Sequence, residues 1–239
     1  MVSAERLYAA TDATWPPAAI FDRAGWRLRR GEGGGHRVSA ASALAAEAAD
    51  RVAEAEAAMR GFGQTPLFQM REGEEALDAL LDAHGYRVIE PVVLLAAPAE
   101  TLAAHDPKGY RAIRCDRPLA RMRVIWGEGG VGAPRLTVMA RAKGPKAYLL
   151  GRADDRAAGV CFVAVDGEVA MLHALHVLGA ARGRGVGRAL TAAAASFAAE
   201  AGAGLLALAV TVANGPARRL YEGLGFAPVG RYHYRALPD

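Results

Sequence analysis

The residues with the clearest chemical meaning form one short stretch in which arginines alternate with small residues: Arg182-Gly183-Arg184-Gly185-Val186-Gly187-Arg188. It lies between a predicted buried strand and an alanine-rich predicted helix. Glycine lets the backbone pass close to a ligand, and the start of the helix aims its unpaired N–H groups at the same point. Together with the arginine charges, this pattern predicts a binding site for a diphosphate.

Three classes of protein use such a turn, and the flanking residues separate them. A P-loop ends in Gly-Lys-Ser/Thr, which this stretch lacks. A dinucleotide fold needs Gly-x-Gly-x-x-Gly and a later acidic residue, but Leu190 occupies the third glycine position and the predicted strand 204–212 has no carboxylate. The remaining pattern, Arg-x-x-Gly-x-Gly, is satisfied by Arg182, Gly185 and Gly187. A purely structural glycine-rich turn stays as the alternative.

A second motif begins 27 residues after Gly187 and reads Asn214-x-x-Ala217-x-x-Leu220-Tyr221-Glu222-x-x-Gly225-Phe226. In this order and spacing, the two motifs resemble those of the GNAT superfamily of N-acetyltransferases. The resemblance covers residues 110–235 and is densest over 170–226. Residues 26–44 and the closing Tyr232-His233-Tyr234-Arg235 also resemble a bacterial subgroup that carries an extra N-terminal half-domain.

The resemblance implies an enzyme that moves an acetyl group from acetyl-CoA to a primary amine by direct attack, through a tetrahedral intermediate and without a metal. Predicted strands 168–178 and 204–212 would splay apart, and the pantetheine arm would pair with the first of them. The residues expected to bind the cofactor are Leu175, Val177, Arg182, Gly183, Arg184, Gly185, Val186, Gly187, Arg188, Asn214 and Tyr221.

Two of these residues have a structural alternative. The resemblance places the Tyr221 hydroxyl at the sulfur, where it would protonate the departing thiolate, but a tyrosine on a helix also packs in a core. Asn214 is expected to contact the cofactor arm, yet at a helix start it also serves as an N-cap. A non-catalytic acyl-CoA-binding regulatory protein of the same fold is the alternative function.

The attacking amine must lose a proton, because a lysine-like amine titrates near 10.4. Histone-type relatives carry a glutamate base where this sequence has Met171, whereas arylalkylamine-type relatives have a histidine at the position of His173. The resemblance therefore implies His173 as the base, with His176, bulk water and a merely structural His173 left open. Strand alternation predicts one shared face for Met171, His173, Leu175 and Val177, and the opposite face for His176.

The composition limits which classes of protein and which cellular locations remain. The chain has 239 residues, 52% of them hydrophobic and 23% charged, and a net charge of +4. This balance is typical of a globular protein and too weakly basic to indicate nucleic acid. Cys115 and Cys161 match no metal spacing and are too few for a disulfide framework, which favours a cytoplasmic location. No signal-peptide or membrane-spanning stretch is present, so no membrane partner is expected.

The acceptor is expected to be an amine-bearing small molecule or peptide. The resemblance implies that its pocket is formed by residues 116–142 and the final strands, where the sequence has no obvious carboxylate cluster or anion-binding group. A homodimer is left open.

Apolar periodicity and turn residues predict an α/β protein. The predicted strands are 26–30, 36–40, 66–70, 86–95, 110–114, 146–152, 157–166, 168–178, 204–212 and a pair over 226–236. The predicted helices are 43–59, 74–84, one ending near 126, 134–142, 185–201 and 215–224.

Pro98, Pro107 and Gly109 predict a linker. It divides a degenerate GNAT-like domain (1–105) from a catalytic GNAT domain (106–239), whose mixed sheet splays between its fourth and fifth strands. Residues 77–86 resemble 217–226, as expected of either a degenerate duplication or two helices with glycine C-caps.

Overall fold

The computed structural model describes residues 2–105 and 111–238. Its α-helices are α1 (Ala4–Thr14), α2 (Val52–Gly61), α3 (Glu75–Ala83), α4 (Ala99–Ala103), α5 (Ala120–Glu128), α6 (Ala133–Arg141), α7 (Val186–Glu200) and α8 (Gly215–Glu222). Its strands are β1 (Ala19–Arg23), β2 (Trp26–Arg30), β3 (Ser42–Ala43), β4 (Leu67–Arg71), β5 (Arg87–Pro98), β6 (Arg111–Cys115), β7 (Lys146–Ala153), β8 (Arg156–Asp166), β9 (Val169–Val177), β10 (Leu205–Thr211) and β11 (Ala227–Ala236).

The strands form two sheets. A small antiparallel sheet has the order β1-β2-β3, and an eight-stranded mixed sheet has the order β4-β11-β5-β10-β9-β8-β7-β6. The only parallel pair among the described strands is β9 with β10. Helix α7 packs on one face of the large sheet, and α1, α5 and α6 lie on the other.

Strands from both predicted domains share the large sheet. Strand β5 pairs with β10, where Leu95 lies opposite Leu208, and with β11, where Val92 lies opposite Tyr232. The predicted boundary after residue 105 follows α4, which occupies part of the region predicted as a linker. It stays a prediction, as does the linker, part of which lies outside the described residues.

Several predicted elements differ from the observed ones. Residues His36–Val38 form a 3₁₀ turn after Gly35 (φ 95°) instead of a strand, and β2 pairs with β1 on one edge and with β3 on the other. The helix predicted from residue 43 begins as an α-helix at Val52, after a 3₁₀ segment. The final strand pair is the single strand β11, bent by two irregularities in its pairing with β5. Helix α1 was not predicted.

Pairing between β9 and β10 stops at Leu172 and Leu208, although both strands continue. On its other edge, β9 bulges against β8: Phe162 pairs with His173 and Val160 with His176, so two residues of β9 face one of β8. The bulge contains Ala174, whose φ is 49°. The large sheet therefore divides at the carboxyl ends of its two central strands.

The bulge reverses the alternation of side chains along β9. Leu175 and Val177 pack with Leu172 in the core beneath α7, whereas Met171 belongs to the opposite face. The expectation that Met171, His173, Leu175 and Val177 share one face is wrong.

Candidate active site

The gap between β9 and β10 opens into a cavity of about 860 Å³. Its walls are residues 172–177 of β9 and 208–211 of β10, and the glycine-rich turn and α8 complete it. The cavity brings together almost every residue predicted for the site: His173, Leu175, Val177, Arg182, Gly183, Gly185, Val186, Gly187, Arg188, Asn214 and Tyr221.

The glycine-rich turn places the start of α7 at this cavity. Gly183 and Gly185 have φ values of 72° and 90°, a region that other L-residues rarely adopt. Gly185 is the N-cap of α7 and supplies no side-chain acceptor, so the first N–H groups of the helix remain available for an anion. At Gly187, a Cβ atom would lie 3.0 Å from Cδ2 of Leu220, which shows how closely α7 and α8 approach.

The three arginines of the turn are placed differently. Arg182 and Arg188 line the cavity, and Nε of Arg182 donates to the carbonyl of Val177 at 3.2 Å. Arg184 does not line the cavity, and its guanidinium pairs with Asp154. The turn therefore contributes two arginines to the cavity wall.

Helix α8 begins directly after Asn214 and contains Tyr221. Oδ1 of Asn214 accepts a hydrogen bond from the N–H of Ala217 at 3.2 Å, so this residue caps the helix. The Tyr221 side chain is 6% exposed, lines the cavity and packs edge-on against Phe226. Burial raises the pKa of Tyr221, so its hydroxyl keeps the proton at neutral pH.

His173 is held by residues from the N-terminal part of the chain. Nε2 of His173 lies 2.9 Å from Oγ1 of Thr14, whose hydroxyl donates to the carbonyl of Ala10 at 2.6 Å. Because the Thr14 hydroxyl donates its hydrogen to Ala10, Nε2 of His173 must carry the hydrogen that is shared with Thr14. Nδ1 of His173 therefore carries the lone pair. The ring also packs against Trp15, with centroids 5.0 Å apart.

Charge and burial both disfavour a protonated His173. The side chain is 3% exposed, and Nδ1 lies 3.5 Å from Nη1 of Arg37. Burial, and then the charge of Arg37, lower the pKa of His173 well below 6.5. His173 is therefore a neutral, hydrogen-bonded histidine at the cavity wall.

The β9 bulge and His176 are supported by α5 and the turn that follows it. Nε1 of Trp126 donates to the carbonyl of Ala174 at 2.8 Å. His176 also lines the cavity, and it packs so closely on Gly129 that a Cβ there would lie 2.5 Å from Nδ1. Burial and Arg182 lower the pKa of His176 from 6.5.

Sequence reasoning missed Thr14, Trp15, Arg37 and Trp126. Each reaches β9 from a distant part of the chain: Thr14 and His173 are 159 positions apart. No local motif marks such residues.

Residues 118–226 match the acetyltransferase (GNAT) family model. These residues belong to the GNAT family. The family resemblance inferred from the two motifs is thereby confirmed, and the match lies within the region where that resemblance was placed.

Similarity to solved structures extends beyond residues 118–226. A GCN5-related N-acetyltransferase from Kribbella flavida has a TM-score of 0.76 at 20% identity, over 100% of this chain and 97% of that one. A conserved protein of unknown function from Staphylococcus epidermidis has a TM-score of 0.72 at 10% identity, over 96% and 97%. A tandem GNAT protein from the clavulanic acid biosynthesis pathway has a TM-score of 0.61 at 18% identity, over 78% of this chain and 69% of its own.

At these identities the likeness shows the fold, and the predicted α/β GNAT architecture is confirmed. No curated protein sequence gives a significant match to the chain.

Two further observations apply to all of the described residues. Within 2–105 and 111–238, no group of three His, Cys, Asp or Glu side chains is placed to hold a metal ion. The same residues contain no helix long and apolar enough to cross a membrane.

Proposed function

We propose that the chain transfers the acetyl group of acetyl-CoA to a primary amine. The observation that carries this proposal is the continuity of one cavity, which runs from the divided edge of β9 to the start of α7. A nucleophilic nitrogen would form a bond to the acetyl carbon, and the carbon–sulfur bond would break. The products are an acetamide and free CoA, and the amine nitrogen gives up its proton.

The residues present fit acetyl-CoA. The uncapped start of α7, with Arg182 and Arg188 beside it, suits the diphosphate. Among the described residues, strand β9 has no strand partner beyond Leu172 on its β10 side, so its main chain at residues 173–177 is available to an extended pantetheine arm. When bound, the thioester supplies the activated acetyl group.

Tyr221 is proposed to protonate the leaving thiolate. This residue lines the cavity, and its hydroxyl keeps its proton at neutral pH because burial raises its pKa. A buried, protonated hydroxyl is suited to act as a general acid.

A different group must accept the proton that the amine loses. The sequence predicts His173 as the base, and that role stays a prediction. Its lone pair at Nδ1 faces Arg37, so taking up a proton there would bring two cations together. We therefore propose that His173 positions its neighbours and that His176 or a water molecule receives the proton.

The direct test is amine-dependent thiol release from acetyl-CoA by the purified chain, followed with a thiol reagent over a panel of amines. One acetyl group, detected by mass spectrometry, should be added for each thiol released. Tight acetyl-CoA binding without thiol release from any amine would contradict acetyl transfer and support the non-catalytic regulatory alternative.

A further inference from the structure

A second cavity, of about 220 Å³, adjoins the cofactor cavity on the side of the N-terminal residues. The two cavities share Arg37, Ala174, Ala209 and Thr211. The walls of the second cavity also contain His36, Glu90, Arg135, Tyr232 and Tyr234. A molecule bound there would therefore reach the residues at which β9 and β10 separate.

Arg37 is half-buried, and it differs from the two buried arginines among the described residues. Arg29 is 1% exposed and donates to both carboxylate oxygens of Asp12, at 3.0 and 2.7 Å. Arg235 is 6% exposed and donates in the same way to Asp78, at 2.8 and 3.0 Å. Each of these buried cations is therefore neutralised by an aspartate.

Arg37 has no such partner among the described residues. Its Nε is buried without a hydrogen bond, and its Nη1 lies 3.5 Å from Nδ1 of His173. Glu90, an acid in the same cavity wall, is already bonded to Nδ1 of His36 at 2.8 Å. A guanidinium that has a buried, unpaired Nε and no carboxylate in contact is unfavourable, so a bound anion would complete this site.

Two neighbours of Arg37 support an anionic ligand. Arg135 adds a second guanidinium to the cavity wall, and its one hydrogen bond within the described residues is a 3.5 Å contact with the carbonyl of Gly130. The buried hydroxyl of Tyr232 lies close to Arg37 and Tyr234 but makes no well-aligned hydrogen bond with the described residues. Together these groups offer donors with the planar geometry that a carboxylate accepts.

We infer that the second cavity binds the acceptor and that the acceptor is an amine bearing a carboxylate, as a free amino acid does. Arg37 holds the carboxylate, assisted by Arg135, and the amino group points past Ala174 toward the thioester. This inference rests on the proposed acetyl transfer and adds its substrate class. A polyamine would be disfavoured because it would bring like charges to the two arginines.

The test compares each free amino acid with its own carboxamide, which has the same amine and side chain but no carboxylate. Spermidine serves as the polycation, and acetyl-CoA-dependent thiol release is the readout. At least one amino acid should have a kcat/KM about 100-fold or more above that of its amide, because removing the carboxylate leaves buried donors unpaired.

Substitutions of Arg37 test whether this residue causes the preference for an amino acid over its carboxamide. In Arg37→Gln, the acid-to-amide ratio of kcat/KM should fall toward one, whereas Arg37→Lys, which keeps the charge, should retain part of it. Arg23→Gln is the matched control, because Arg23 is an exposed arginine on β1. A ratio unchanged in Arg37→Gln would overturn the inference.

The outcomes separate the two proposals. Amides or spermidine acetylated as fast as the amino acids would overturn the carboxylate inference and leave acetyl transfer standing. Absence of thiol release from every amine would overturn the proposed function itself, and the substrate class with it.

Discussion

Nδ1 of His173 faces Nη1 of Arg37 at 3.5 Å, so the one lone pair of the imidazole points at a cation. Because Nε2–H is directed at Thr14, both ring nitrogens are engaged within the protein. Our first two predictions depend on this arrangement, in which His173 is neutral and fixed.

The pH–rate profile separates a positioning residue from a base. His173→Gln should lower kcat/KM by a similar factor at every pH, because a group with a strongly depressed pKa does not titrate near neutral pH. The parent and variant profiles, measured over about pH 6 to 10, should therefore be parallel, both rising as the amine deprotonates. A deficit largest below about pH 8 and recovering above it would instead identify His173 as the base.

The pH dependence of stability follows from the same histidine. The folded-state pKa of His173 lies well below 6.5, so below pH 6.5 the unfolded chain binds a proton that the folded chain does not. The free energy of unfolding should be unaffected by this group above pH 6.5 and fall below it, by up to about 1.4 kcal/mol per pH unit. Urea unfolding of His173→Gln should lack this part of the slope, and equal slopes in the two proteins would refute the burial argument.

Tyr221→Phe tests the proposed acid. The ring and its contact with Phe226 are kept, and only the hydroxyl is lost. We expect kcat to fall by about 10²- to 10⁴-fold, with little change in the KM for acetyl-CoA. Equal turnover in parent and variant would assign Tyr221 to packing alone.

Trp126→Phe tests whether the β9 bulge matters for activity. It removes the donor to the Ala174 carbonyl, so the free energy of unfolding should fall by about 1–3 kcal/mol. We expect kcat to fall as well, because Ala174 lies in the cavity wall beside the predicted cofactor residue Leu175.

Trp26→Phe is the matched control for this substitution. Nε1 of Trp26 donates to the carbonyl of Ala48 at 2.9 Å, in the separate core around the small sheet. It should lose similar stability and keep its kcat. If both variants keep full kcat, the bulge has no part in catalysis.

The GNAT domain could be predicted from sequence because its motifs are local. The glycine-rich turn requires glycine at Gly183 and Gly185, whose φ values are positive, and the helix start follows directly in the chain. Asn214 directly precedes the short helix that contains Tyr221, at a spacing that a motif records. Such features are fixed by neighbouring residues, so the sequence shows them.

The environment of the site could not be predicted in the same way. Arg37 reaches His173 across 136 positions and through a 3₁₀ turn that the sequence pattern had indicated as a strand. The bulge depends on a positive φ at Ala174, a residue type that gives no sign of it. Its consequence, the reversal of side-chain faces along β9, was therefore missed.

Local sequence patterns also could not predict that both halves of the chain contribute strands to one sheet. The pairing of β5 with β10 and β11 joins residues more than 100 positions apart. Periodicity indicates that a segment is a strand, but it does not identify the partners of that strand.

The central claim, that acetyl-CoA binds where α7 begins, is tested most directly by calorimetric titration of acetyl-CoA into the parent protein and two glycine variants. A valine at Gly187 would press on Leu220 and occupy the cavity wall, whereas at Gly204, beyond the far end of α7, a Cβ meets no atom within 4 Å. We predict binding by the parent and by Gly204→Val, and loss of binding in Gly187→Val with the circular-dichroism spectrum of the folded protein retained. Absence of binding by the parent, or undiminished affinity in Gly187→Val, would contradict the claim.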